Sequence, residues 1–293
     1  MLAQPIEDTY PVLREAREHR RLDEQHLLYR RCQGYLLHPA IELPESAKIA
    51  ELATGTSIWL REFAHANPSV ECHGFDLSDE GFPAADQLPG NVSLHLQDMK
   101  APFASRWHGI FDAVHIRFVQ IAMQPEDYPL VLANACLLLK AGGALQWTDC
   151  DEVTGTQHAL RAPEMPMASC RTRRRPAFPT ALDSCYTSIW QRPGLAAVMT
   201  YGYNNLTMLF KESAGFKNVL VDRYSTDADP TLRKPFTLMM VECAISLLKS
   251  DYGAADHCVE DEARAKNSAA MRKEAEVFGF YYRVDCCSWV GWK

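Results

Sequence analysis

No Cys-x-x-Cys pair occurs in this chain, although ten cysteines are scattered along its 293 residues. Without short-spaced thiolates there is no candidate zinc site, and no other metal is expected. Unpaired thiols on apolar faces read as small hydrophobes in a reduced, cytoplasmic setting. Positive charge is also scarce: 30 Lys and Arg stand against 37 Asp and Glu, a net charge of −7. No domain-wide positive field is present to bind nucleic acid by counterion release. The longest apolar run, Phe236 to Leu248, carries Glu242 in its middle and falls short of the roughly 20 residues that span a bilayer. Met1 to Tyr10 lack the basic and apolar regions of an export signal. No repeat or low-complexity tract appears, and no Gly-x-Gly-x-x-Gly, which disfavours a nicotinamide-dependent oxidoreductase.

What is present is an ordinary globular composition, 47% hydrophobic and 23% charged, at a length that suits one enlarged α/β domain. Residues 9 to 40 read as helical until Pro39 and Pro44 interrupt. Lys48 to Ala53 reads as a strand whose turn, Thr54 to Ser57, leads into an amphipathic helix from Ile58 to Ala66. Strands follow at Val70 to Phe75, Val92 to Leu96, Phe111 to Phe118 and Ala144 to Thr148. A strong helix from Pro125 to Lys140 precedes the last of these, with Gly142 and Gly143 as its C-cap. Such alternation predicts a parallel, doubly wound sheet. Beyond residue 152 the pattern loosens. It resumes with a helix from Leu206 to Ser213, a strand from Lys217 to Arg223, an apolar helix over 236–249, a charged helix over 258–278 and a final strand from Phe280 to Trp292.

The informative spacing is acidic-x-small-x-Gly-x-small at Glu51, Ala53, Gly55 and Ser57. A turn that passes close to a ligand needs residues with little or no Cβ, so that backbone N–H groups can reach it. Alone, it could equally be an ordinary strand-to-helix connection. Asp76 ends the second strand, where a carboxylate can accept ribose hydroxyls; as a bland alternative it is an N-cap. Asp98 and Met99 end the third, where one can accept from an adenine amino group while the other packs on the ring. Three successive strand ends with fitting chemistry point to a nucleotide-type ligand.

At these residues the chain resembles the class I S-adenosylmethionine (SAM)-dependent methyltransferases, and more narrowly the small-molecule methyltransferase-like proteins of fungal secondary metabolism. The carriers are Arg21 to His26, Ile49 to Trp59, Gly74 to Ser78, Phe111 to Arg117, Leu139 to Trp147 and Ala214 to Phe216. The resemblance implies an α/β fold: a Rossmann-like, seven-stranded, mostly parallel sheet with an antiparallel terminal strand pair, an N-terminal helical cap and helical lid insertions. Within one integrated domain it divides the chain into a cap (1–45), a SAM-binding half (46–151), a substrate lid (152–215) and terminal strands with a helical insertion (216–293). It implies Glu51, Ala53, Gly55, Thr56 and Ser57 under the methionine portion of SAM, Asp76 with Leu77 at the ribose, and Asp98 and Met99 at the adenine. His115 and Arg117 are then expected near the sulfonium, and His26 on the segment that closes over the cofactor. S-adenosylhomocysteine is the implied product. The pattern usually has Gly where Ala53 and Ser57 stand, and Ser57 puts a Cβ where the backbone approaches the methionine carboxylate.

Methyl transfer from a sulfonium asks the protein mainly to align a nucleophile and exclude water. Where a general base helps, His115 and Asp149, at the carboxyl ends of their strands, are the candidates. Each also has a structural reading, His115 as a packing residue and Asp149 as a hydrogen-bonded strand-end acid. Asp149, Asp151 and Glu152 read as solvated acids rather than as a Mg²⁺ site. Arg171 to Arg175, the one basic run, reads as a solvated lid loop. Tyr186, Trp190, Tyr201, Tyr203 and Phe210 fit either the walls of a flat substrate's pocket or core packing. The expected function is methylation of a small molecule, without nucleic acid or membrane, and a homodimer is compatible with the sequence. The alternatives are a SAM-binding fold recruited for cyclisation or rearrangement and a methyltransferase-like regulator of metabolite biosynthesis.

Overall fold

Short apolar segments that are buried on both faces can be accommodated only inside a sheet covered by helices. The computed structural model describes residues 14–151, 191–212, 215–249, 269–273 and 281–293, together with 181, 189 and 276. Among these, seven strands form one sheet: β1 Lys48–Leu52, β2 Glu71–Asp76, β3 Val92–Leu96, β4 Phe111–Arg117, β5 Leu139–Asp151, β6 Lys217–Ser225 and β7 Asp285–Trp292. Their order is β3-β2-β1-β4-β5-β7-β6. β7 runs antiparallel to both of its neighbours, and the other pairings are parallel. The strand order reverses between β1 and β4. In such sheets a crevice opens outside the carboxyl ends at the reversal.

Among the described residues, these helices flank the sheet: α1 Ala16–Gln33, α2 Ile58–Ala66, α3 Asp127–Leu138, α4 Leu195–Glu212 and α5 Arg233–Lys249. The amphipathic α2 buries Trp59, Leu60, Phe63 and Ala64 on one face of the sheet, with Ile49, Ala113 and Val290. On the other face Tyr128, Val131 and Leu132 of α3 and Leu206 and Phe210 of α4 pack with Phe75, Phe111, Trp147 and Trp289. Trp147 and Trp289 are fully buried and lie directly opposite each other on β5 and β7. Each large side chain removed from water in this way contributes about 2–3 kcal/mol. A third cluster joins Tyr29 of α1, Met199 of α4 and Phe236 and Met240 of α5.

Several boundaries differ from the sequence reading. α1 ends at Gly34, which adopts φ +84 and returns its N–H to the Arg30 carbonyl, so a left-handed cap stops the helix before Pro39. Its buried residues are mostly polar: Glu18, Arg21 and His26 point inward with Tyr29, while Leu27 is 56% exposed. α3 stops at Leu138, and Leu139 already belongs to β5. Gly142 and Gly143 are therefore not a helix cap. They lie where the β4–β5 register slips between Phe111 and Ala113, and a Cβ on Gly143 would come within 3.1 Å of the Asp112 and Lys140 carbonyl oxygens. α4 begins eleven residues before the expected Leu206, and β7 begins pairing at Asp285 rather than Phe280. The charged helix over 258–278, the basic run Arg171 to Arg175, Tyr186 and Trp190 lie outside the described residues, apart from 269–273 and 276. No described helix is long and apolar enough to cross a membrane.

Candidate functional site

The turn after β1 carries the demand that its spacing implies. Ala53, Gly55 and Ser57 have φ of +55, +55 and +56, the left-handed region that favours glycine. The turn is tied down from several sides. Thr54 N–H donates to the Phe75 carbonyl on β2, Ser57 N–H to the Thr54 carbonyl, and the Thr54 hydroxyl to the Glu51 carboxylate. Asp76, at the end of β2, accepts from Gly55 N–H at 2.7 Å and from Ser78 N–H at 3.1 Å. Gly81, in the loop after β2, backs the turn so closely that a Cβ there would lie 2.9 Å from the Gly55 carbonyl oxygen. Nothing in the local sequence marks Gly81, because its need comes from the approach of another segment.

A cavity of about 230 Å³ opens at these strand ends. Glu51, Ala53, Gly55, Thr56, Asp76, Leu77, Asp98, Met99, Arg117 and His26 all line it, brought together from β1, β2, β3, β4 and α1. Three expected residues do not line it: Ser57, His115 and Asp149. Ser57 is fully buried, caps α2 without using its side chain, and its Oγ has no hydrogen-bonding partner.

Electrostatics tie α1 to the sheet. Glu51 and His115 are register partners on β1 and β4, and Arg117 follows two residues on, so the pleat sets all three on one face. The His115 ring stacks on Trp59 at 3.7 Å, with Nδ1 3.5 Å from Glu51. Burial, and then Arg117, push His115 well below the usual histidine range, so it is neutral. Burial pushes Glu51 up to about 7 against the pull of Arg117, whose Nε lies 4.0 Å away. Arg117 Nη1 donates to His26 Nδ1 at 2.8 Å, so His26 carries its proton on Nε2 and gives it to Glu62 at 2.5 Å. Burial, and then Arg117, lower His26 to about 4. Asp23 accepts from the Thr56 hydroxyl at 2.6 Å, and Glu18 accepts from Arg21 and from Ser246 of α5. A polar buried face on α1 is thus what its position over the cavity requires.

His115 and Asp149 therefore lie behind the cavity rather than in it. Asp149 is fully buried under α4, where its Oδ2 would come within 3.0 Å of a Cβ on Gly202. Asp151, the last residue of β5, is buried too, so neither Asp149 nor Asp151 is a solvated acid, and Glu152 lies outside the described residues. Among the described residues no group of three His, Cys, Asp or Glu is arranged to hold a metal ion. Of the described aromatic candidates, Phe210 is core, Tyr201 packs on Tyr128 and Tyr203 on Trp289, and none of these three lines the cavity. Its far end is formed instead by residues that the sequence reading did not single out: Phe118, Gln120 and Ile121 after β4, Met199 of α4, and Cys243, Ser246 and Leu247 of α5. One signal was present, since Phe118 directly follows the strand that carries Arg117.

No protein-family model matches the chain. It is 32% identical over 168 residues to methyltransferase grgD of a Penicillium species, covering 54% of this chain and 57% of that protein. It is also 32% identical over 141 residues to N-methyltransferase sirN of Leptosphaeria maculans, covering 48% and 49%. The chain thus spans about half the length of the curated relatives it matches. Among solved structures, a Haloferax volcanii protein described as a methyltransferase, in complex with a methyltransferase activator, superposes with a TM-score of 0.52 and 15% identity over 98% of each chain. That likeness speaks to the fold alone. The chain has the Rossmann-like fold of class I methyltransferases and is similar in sequence to fungal methyltransferases.

Proposed function

We propose that this chain is a SAM-dependent methyltransferase whose acceptor is a small molecule methylated on nitrogen. The observation that carries the reading is the meeting of three strand ends and α1 on one cavity, each bringing a group that suits a different part of SAM. Asp76, held by two backbone N–H groups, keeps lone pairs for the ribose hydroxyls, with Leu77 beside it. Asp98 accepts the adenine amino group, and Met99 packs on the ring. The left-handed backbone at Ala53 and Gly55, with Thr56 beside them, lets the methionine portion approach. Arg117 supplies a cation for its carboxylate and Glu51 an anion for its ammonium, while His26 holds Arg117 in place. Bound there, SAM supplies an electrophilic methyl group on a sulfonium. The protein's part is alignment and exclusion of water, which agrees with a cavity whose two buried strand residues, His115 and Asp149, support its walls. Nitrogen is favoured as acceptor because several fungal relatives are named N-methyltransferases.

Titration calorimetry with SAM and with S-adenosylhomocysteine tests the reading. Heat of binding is expected for both, and Asp76→Ala, checked as folded by circular dichroism, is expected to abolish it. No heat with either ligand at millimolar concentration leaves a fold without this cofactor. A candidate metabolite pool incubated with SAM should then gain one methylene by mass spectrometry.

A further inference from the structure

Beyond the cofactor's share of the cavity, a buried amide stands beside several apolar side chains. Gln120 sits in the 3₁₀ turn Gln120–Ala122, two residues after Phe118, whose φ of +51 swings the chain out of β4. A bulky residue in the left-handed region persists only where its surroundings over-determine it. Here Phe118 N–H donates to the Thr148 carbonyl, and the Phe118 ring packs on Tyr29 at 4.2 Å. The strained turn is what presents Gln120 to the cavity. Gln120 is 3% exposed; its Nε2 donates to Cys150 Sγ at 3.3 Å, which fixes the amide plane, and its Oε1 has no hydrogen-bonding partner. Phe118, Ile121, Ala122, Met199 and Leu247 line the same cavity, as do Cys243 and Ser246, whose hydroxyl is given to Glu18. A buried amide oxygen without a donor is costly to keep.

We infer that Gln120 Oε1 is the acceptor-recognition group, taking a hydrogen bond from the N–H of a neutral, weakly basic amine on an apolar framework. This rests on the methyltransferase reading. A carbonyl oxygen accepts from an N–H but does not take its proton away. That suits a neutral amine, which presents a lone pair without prior deprotonation, and does not suit a hydroxyl, which needs a base where this contact offers only an amide. An ammonium is disfavoured by the same apolar walls.

The test uses matched pairs with the full-length protein saturated with S-adenosylhomocysteine: N-methylaniline against N,N-dimethylaniline, indole against 1-methylindole, and phenol against anisole. Affinities are read by ligand-observed NMR titration. The N–H member of the first two pairs is expected to bind about tenfold tighter, and Gln120→Met, which keeps the side-chain length without the amide, is expected to erase that preference while leaving the N-methyl compounds unchanged. Equal binding within both pairs, preference only for phenol, no binding of any probe at millimolar concentration, or a preference that survives in Gln120→Met overturns the proposal. If the variant does not fold, the wild-type pairs alone decide it. Failure of S-adenosylhomocysteine to bind strikes the cofactor reading instead, so the two are told apart.

Discussion

Ser57 carries two costs. Its φ of +56 is a conformation that costs a non-glycine residue about 1–2 kcal/mol, and its buried Oγ lacks a partner, worth about 1–3 kcal/mol more. Against these stands the extra unfolded-state freedom of glycine, about 0.5–1 kcal/mol. Ser57→Gly is therefore expected to stabilise the protein by about 1–4 kcal/mol and raise the melting temperature by several degrees. Ala53→Gly, with the strain but no orphaned hydroxyl, should gain about half as much. A lower melting temperature for Ser57→Gly would show that its hydroxyl has a role the fold depends on. That these two positions are unusual was legible in the sequence, because the spacing around Gly55 asks for small residues. Gly81 and Gln120 were not legible. The first is required by the Gly55 turn of another segment, and the second acquires its meaning only from Phe118 upstream and α4 and α5 on the far side of the cavity.

At the scale of elements, α4 illustrates how packing overrides propensity. Helix propensity alone predicts that Gly202→Ala gains about 1 kcal/mol. The packing predicts the opposite, because the added Cβ would lie 2.5 Å from the Tyr128 hydroxyl, 2.8 Å from its ring and 3.0 Å from Asp149 Oδ2, and Tyr128 is wholly buried, stacked on Trp147. Overpacking of this kind costs about 1–3 kcal/mol, so Gly202→Ala should lower the midpoint of urea unfolding. An unchanged or higher midpoint would mean that α4 can lift from α3. The parallel strands and α2 were readable from the chain, since period and turn residues are local signals. The ends of α1, α3 and β7 were not. A left-handed cap at Gly34, a slipped β4–β5 register and a start of pairing at Asp285 are each settled by the folded chain around them rather than by the residues' own periodicity. The buried polar face of α1 was not legible either, because it is set by the cavity that the helix covers.

For the whole molecule, the ionisable groups of that cavity should shape stability against pH. Glu51 is raised from 4.5 to about 7, so between those values the folded protein holds a proton that the unfolded chain releases, and stability falls as pH rises. His26 is lowered from 6.5 to about 4, so across that window the unfolded chain binds a proton that the folded protein does not, and stability rises with pH. Over 4.5 to 6.5 these two effects largely cancel, since each tenfold change in proton affinity is worth about 1.4 kcal/mol and the two groups are displaced in opposite directions. His115, also lowered, tips the balance toward stability rising with pH below 6.5. Above 6.5 only the Glu51 effect remains, and it gives a shallow decline to about 7. Melting temperatures measured across this range should therefore peak near about pH 6.5. His26→Gln, which can still accept from Arg117 and donate to Glu62, should flatten the acid side. Glu51→Gln should remove the decline on the alkaline side and steepen the acid side, where its offset is lost. If the His26→Gln profile overlays that of the wild type, the histidine is not held neutral between Arg117 and Glu62, and α1 is not latched to the sheet through it.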